Sequence, residues 1–166
     1  GESAAFRADA DVPLVVPEIN AGHLALIGVQ KAARGWDKGF IVSAPLCTAV
    51  IAALVLKPLD ERFGLKSVVM TSMQALSGSG WNGVPSLAIL DNLLPWISDE
   101  EEKLGRELPR ILGSLSNGAP ADHPAPISAT ATRVPVRDGH TIAMTLGFQR
   151  PVAPQAAAAA LEAFAG

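Results

Sequence analysis

The single cysteine of this 166-residue chain, Cys47, sits where two sequence patterns meet. Residues 39–43 form an apolar run of strand character, Ala44-Pro45 signals a turn, and a long apolar stretch over residues 48–56 follows at once. This spacing predicts strand, tight turn and helix, with Cys47 at the helix start. There the positive end of the helix dipole favours a thiolate, and unpaired backbone N–H groups can receive an oxyanion when the sulfur attacks a carbonyl. The competing reading is a small core hydrophobe, the common fate of a free cysteine among Ala, Val and Leu. Arg133 and His140 flank the Asp138-Gly139 turn of a predicted hairpin. An arginine there can hold a carboxylate with two parallel hydrogen bonds and a histidine can shuttle a proton near neutrality, unless both are plain surface residues. Gln74 directly follows a predicted strand, whose carboxyl end should face the Cys47 turn.

These side chains need elements to carry them. Residues 11–20 read as a short buried strand bracketed by Pro13 and Pro17, broken by Gly22-His23. His23 lacks an acidic or cysteine companion at metal spacing and is expected as a surface or capping histidine. A helix is predicted over residues 24–33, a turn over 34–39, and the helix from Cys47 to about Phe63, capped by Gly64 and bent at Pro58. A strand over 66–73 would complete a right-handed crossover with a parallel pair. The loop over 74–85 is dense in small residues but lacks the lysine-plus-hydroxyl ending of a phosphate loop. Helical spacing returns over 87–96 and again after Ser98, where Ser98 and Glu101 make a capping box and the acidic run 99–102 suits a helix start. Residues 117–126 read as an exposed Pro- and Gly-rich loop holding His123. Strands over 127–136 and 141–148 form the hairpin, and an alanine-rich helix over about 155–165 closes the chain.

The expected fold class is therefore α/β, with a mixed sheet flanked by helices and one domain over residues 1–166. Half the residues are hydrophobic (49%) and only 17% are charged, so some apolar surface should be covered by a second copy or a partner domain. The longest apolar run, residues 49–56, is far short of a membrane span. A net charge of -3 gives no electrostatic reason to expect nucleic acid. One cysteine excludes an internal disulfide and fits a reducing, cytoplasmic setting. The start shows no signal pattern and no methionine, as a trimmed or tagged end would.

Ordered blocks along nearly the whole chain resemble the catalytic and dimerisation portion of the aspartate-semialdehyde dehydrogenase family, in its archaeal and fungal branch. They are Val12-Pro13-Leu14-Val15-Val16-Pro17-Glu18-Ile19-Asn20, the Pro45-x-Cys47-Thr48 turn, Leu56-Lys57-Pro58-Leu59, Met73-Gln74-Ala75-Leu76-Ser77-Gly78, Gly83-Val84-Pro85-Ser86 with Ile89-Leu90-Asp91-Asn92, Glu100-Glu101-Glu102-Lys103, and residues 133–140. The resemblance implies a cysteine acyl-enzyme cycle on a small aspartyl-type acyl substrate. Cys47 matches the nucleophile and His140 the general acid/base. Gln74 matches the residue that positions the substrate, Arg133 the one that binds its carboxylate, and Glu100 and Lys103 a further substrate- and phosphate-binding pair. The family's usual Asn-Pro-Asn-Cys turn reads Ala44-Pro45-Leu46-Cys47 here.

The family's Gly-rich nucleotide-binding domain has no counterpart within residues 1–166, so the chain alone is expected to bind no cofactor. NADP would enter only through a nucleotide-binding domain supplied elsewhere or removed. A homodimer or a separate partner domain is expected, and no metal. Two alternatives stand beside the dehydrogenase reading: a stand-alone NADP-independent acyltransferase, cyclase or hydrolase, and a non-catalytic dimerisation scaffold.

Overall fold

The computed structural model describes residues 3–165 of the chain. After short helices α1 (Pro17–Asn20) and α2 (Leu26–Arg34), the order is α3 (Cys47–Phe63), β1 (Leu65–Gln74), α4 (Ser86–Ile89), α5 (Glu100–Leu112), β2 (Ser114–Ser116), β3 (Ala119–Ala121), β4 (Ile127–Arg133), β5 (Thr141–Phe148) and α6 (Pro154–Glu162). Strands β4, β1 and β5 make a mixed sheet with β1 in the centre, parallel to β4 and antiparallel to β5. β2 and β3 form a separate small hairpin.

Alternation along β1 decides where the core lies. Val68, Met70, Ser72 and Gln74 are buried on one face, while Val69 on the other is 55% exposed. Helices α3 and α5 cover the buried face through Ala49, Ala52, Ala53, Leu56, Leu104, Leu108 and Ile111, all fully buried. Full burial of each such leucine contributes about 1.5–3 kcal/mol. The opposite face, with Val69, Thr130, Ala143 and Thr145 outward, carries no helix among the described residues.

The predicted α3 and β1 form within a residue of their expected ends. Gly64 terminates α3 at φ 72°, and its N–H donates to the Asp60 carbonyl at 2.8 Å. Pro58 lies inside α3, which runs through it without a break.

Other expectations are corrected. Residues 11–20 are no strand: Pro17 occupies the first helical position of α1, where its missing N–H costs nothing. Residues 39–43 make one parallel bridge, Leu14 to Ser43, and no strand. The Gln30 side chain takes both the N–H and the carbonyl of Ile41, leaving neither for a ladder. The parallel partner of β1 is therefore β4, not the segment before Cys47. The predicted 127–148 hairpin is split, with β1 inserted between its two strands. Residues 87–96 contain only the end of α4, because Asp91 turns to φ 53° and Leu94 pairs with the Arg133 backbone instead. The Ser98 capping box does not form. Asp99 is the residue before α5, at φ 61° and without a side-chain cap, and the Glu101 carboxylate instead accepts the Ala131 N–H of β4 at 3.0 Å. His123 is not a free loop residue, since its Nε2 lies 3.2 Å from the Asp60 carboxylate.

His23 is buried rather than exposed (4%), and its Nδ1 accepts the Asn20 amide N–H at 3.2 Å. Asn20 also accepts the Val16 N–H and donates to the Leu14 carbonyl, so this pair holds the segment leading to α2. Burial lowers the His23 pKa below its ordinary 6.5. The unfolded chain therefore binds more protons as the pH falls through that value, and the folded state loses stability in that window. Urea unfolding at about pH 7.5 and about pH 5 is expected to show this loss, reduced in His23→Gln, which keeps a polar side chain but cannot titrate.

Candidate active site

The site gathers at the carboxyl end of β1. Register alone brings three positions together: Gln74 pairs with Arg133 of β4, and Met73 pairs with Thr141 of β5, so His140 stands at the same end. Cys47 arrives from the other side as the first residue of α3, exposed, with Leu46 before it as the cap position. The first amides of such a helix have no intrahelical carbonyl to bond, and no side chain caps them here.

Cys47 Sγ lies 3.4 Å from His140 Nε2, although the two residues are 93 positions apart. The other imidazole nitrogen, Nδ1, accepts the Ala75 backbone N–H at 3.0 Å. An amide can only donate, so Nδ1 must hold its lone pair and the neutral ring carries its proton on Nε2. That proton points at the sulfur. Burial first, and the nearby Arg133 charge second, lower the His140 pKa below 6.5, while Glu100 opposes them. Both effects keep the ring neutral, and protonating Nδ1 would in addition break the Ala75 bond.

Arg133 is 5% exposed, and its Nη1 donates to the Ala75 carbonyl at 2.8 Å. Among the described residues no carboxylate lies in ion-pair reach of it. A buried guanidinium that donates to a neutral carbonyl and has no carboxylate in ion-pair reach among the described residues suits an anionic group of a ligand. Gly78 backs this position: a Cβ there would lie 2.9 Å from His140 Cε1 and 3.0 Å from Arg133 Nη1. The missing side chain leaves His140 and Arg133 a common border.

Gln74, 2% exposed, donates through Nε2 to Glu100 Oε2 at 3.0 Å and to Ser72 Oγ at 3.4 Å. Its amide is thus fixed by the first residue of α5. The structure brings together Cys47 with His140, Gln74 with Glu100, and Arg133 with His140 around Gly78. Lys103, three positions on from Glu100, shares no hydrogen bond with them. It lines a cavity of about 420 Å³ with Arg7, Arg106, Glu107 and Arg110. The Ala75 peptide and Glu107 escape sequence reasoning. A signal for Glu107 exists, since it falls on the buried stripe of α5 with Leu104, Leu108 and Ile111.

Whether these residues could cradle a dinucleotide can be tested on the turn after β1. Gly78, Gly80 and Gly83 have the required spacing, but the chain passes through a single 3-10 turn (Leu76–Ser79) and reaches only the four-residue α4. A pyrophosphate needs a full helix N-terminus at that point, so the turn does not fit. Among the described residues no group of three His, Cys, Asp or Glu side chains is gathered for a metal, and no helix is long and apolar enough to cross a membrane.

Comparison with known proteins identifies the family and the fold. The profile of the semialdehyde dehydrogenase dimerisation domain matches residues 56–166. The chain is 49% identical to an aspartate-semialdehyde dehydrogenase of Archaeoglobus fulgidus, over 96% of its own length and 46% of that protein. It is 36% identical to a malonyl CoA reductase (NADP) of Metallosphaera sedula, over 96% of its length and 45% of that protein. The crystal structure of aspartate semialdehyde dehydrogenase with NADP from Candida albicans superposes with a TM-score of 0.81 at 34% identity, covering 96% of this chain and 47% of that one. The chain thus spans about half the length of the relatives it matches.

Proposed function

Because the chain belongs to the semialdehyde dehydrogenase family, through its dimerisation domain, we propose that it carries the acyl-transfer half of a dehydrogenase reaction with Cys47 as nucleophile. One observation carries this reading: Cys47 Sγ sits 3.4 Å from an imidazole whose tautomer is fixed by the Ala75 amide.

The Cys47 thiolate attacks the carbonyl carbon of an activated acyl substrate, forming the C–S bond, and the oxyanion is received by backbone amides at the start of α3. The C–O or C–S bond to the leaving group then breaks with its electron pair, leaving a thioester on Cys47. His140 Nε2–H is aimed to hydrogen-bond the thiolate and then the charge that leaves, the proton staying on the ring, because a phosphate or thiolate departs as an anion. Arg133 holds the substrate carboxylate. Gln74, braced by Glu100, orients the acyl chain beside the sulfur, and Lys103 together with Glu100 serves a phosphate-bearing substrate. NADP supplies or accepts hydride when bound, and a nucleotide-binding domain outside the described residues is required to hold it.

The names of the relatives point to an aspartyl compound and a short carboxylated acyl thioester, and the activated form of the first to test is β-aspartyl phosphate; both are suited to an arginine and a thiolate. They lend no support to the acyltransferase, cyclase or hydrolase alternative. In intact-mass measurements without NADPH, β-aspartyl phosphate or a member of an acyl-thioester panel is expected to leave an acyl adduct on the chain and none on Cys47→Ala. No adduct from any donor, with iodoacetamide still labelling Cys47, would overturn the reading.

The family description also supports a homodimer, and the open sheet face around Val69, Thr130 and Thr145 is the surface we assign to it. Sedimentation velocity is expected to give a dimer that Val69→Asp converts to monomer. An unchanged dimer in that variant would move the interface elsewhere.

A further inference from the structure

We infer that Glu107 is a positioning residue for the nucleophile, holding the peptide that precedes Cys47 so that the sulfur meets His140; the inference rests on the reading of Cys47 given above. Glu107 is a carboxylate only 4% exposed, in the middle of α5. Its Oε2 accepts the Leu46 N–H at 2.6 Å, the last amide before the nucleophile's own. Its Oε1 accepts from Arg7 Nη1 at 3.3 Å.

Leu46 is the joint on which the Cys47 side chain swings. On its carbonyl side the joint is already fixed, since the Leu46 carbonyl accepts the Val50 N–H at 3.0 Å as the first bond of α3. On its amide side the chain arrives from Ser43, whose N–H donates to the Pro13 carbonyl at 2.9 Å. Between these anchors Pro45 has no N–H to offer. The Glu107 carboxylate therefore sets where the turn enters the helix.

α5 is well placed to do this, because Leu104, Leu108 and Ile111 on the same helix are fully buried against the core. The carboxylate is held by a rigid element and reaches into the turn, the arrangement a precise site needs. With the acceptor gone, the buried Leu46 amide loses its partner and the turn relaxes to find another. The sulfur then leaves its 3.4 Å contact with His140 Nε2. Glu107 touches no reacting atom in this scheme and acts only through Cys47.

The test compares rates of Cys47 alkylation by iodoacetamide, a probe that needs no acyl donor, with acylation followed in parallel. Glu107→Ala removes the acceptor. Glu107→Asp keeps the charge but withdraws the acceptor by one methylene, and carries the test if the alanine variant fails to fold. Both are expected to slow alkylation about tenfold, and acylation by up to about a hundredfold, because a reacting atom displaced by roughly an ångström has that consequence. Glu107→Gln retains an oxygen that accepts the Leu46 N–H and is expected to restore most of both rates.

A structural defect alone would slow Cys47 whether or not His140 is present. In a His140→Ala background, the further change Glu107→Asp is expected to alter alkylation by less than about twofold, since the contact it serves is already lost. Alkylation at the unsubstituted rate in Glu107→Asp, or equal slowing in the His140→Ala background, would overturn the inference. Failure of the unsubstituted chain to acylate would instead sink the nucleophile reading, and the two results are separately visible.

Discussion

The backbone of Ala75 brings no functional side chain, yet both its N–H and its carbonyl are committed to the site. Its N–H donates to His140 Nδ1 at 3.0 Å, and its carbonyl accepts Arg133 Nη1 at 2.8 Å. Two successive peptide planes, joined at the Ala75 Cα, thus set the direction of an imidazole proton and the place of a buried positive charge. Ala75 can do this because it follows directly on the central strand of the sheet and is itself fully buried. The two neighbouring strands run in opposite senses, so β4 delivers Arg133 at its carboxyl end while β5 delivers His140 just before its start. A plain hairpin of β4 and β5 would also have put the two side chains near each other, but with no peptide between them to fix either one.

Helix α5 plays the matching part from the other side. Its acidic residues suggest only a favourable dipole at a helix start, yet three of them each hold a different segment. Glu100 accepts the Gln74 side-chain amide, Glu101 the Ala131 N–H of β4, and Glu107 the Leu46 N–H of the nucleophile turn. Such charge-assisted bonds to N–H donors are stronger than neutral ones, and buried carboxylates without them would be costly. The apolar stripe of α5 fixes the helix on the sheet, and its carboxylates then transmit that position to the functional residues.

Local pattern was enough to read α3 and β1, because an uninterrupted apolar helix closed by Gly64 and an alternating strand each carry their own signal. The pairing of Cys47 with His140 was legible only through the ordered family blocks, since 93 residues separate them and no spacing rule spans such a distance. The split hairpin was not legible. Asp138-Gly139 marks a turn correctly, with Gly139 at φ 88°, but turn chemistry does not say whether a third strand enters between the arms. The Ile41 segment looked like a strand for the same reason, its backbone partners being taken by Gln30, a side chain eleven positions away. Side-chain capture of backbone groups leaves no periodic trace, and the same holds for the Glu107 contact with Leu46.

The claim that most of this rests on is the tautomer of His140. Long-range nitrogen correlation spectroscopy on the ring, in chain labelled with 15N at histidine, reads it directly at neutral pH. A neutral imidazole with the proton on Nε2 and Nδ1 unprotonated is expected. A ring protonated on Nδ1, whether as the other tautomer or as imidazolium, would contradict the Ala75 hydrogen bond and with it the arrangement that aims a proton at Cys47.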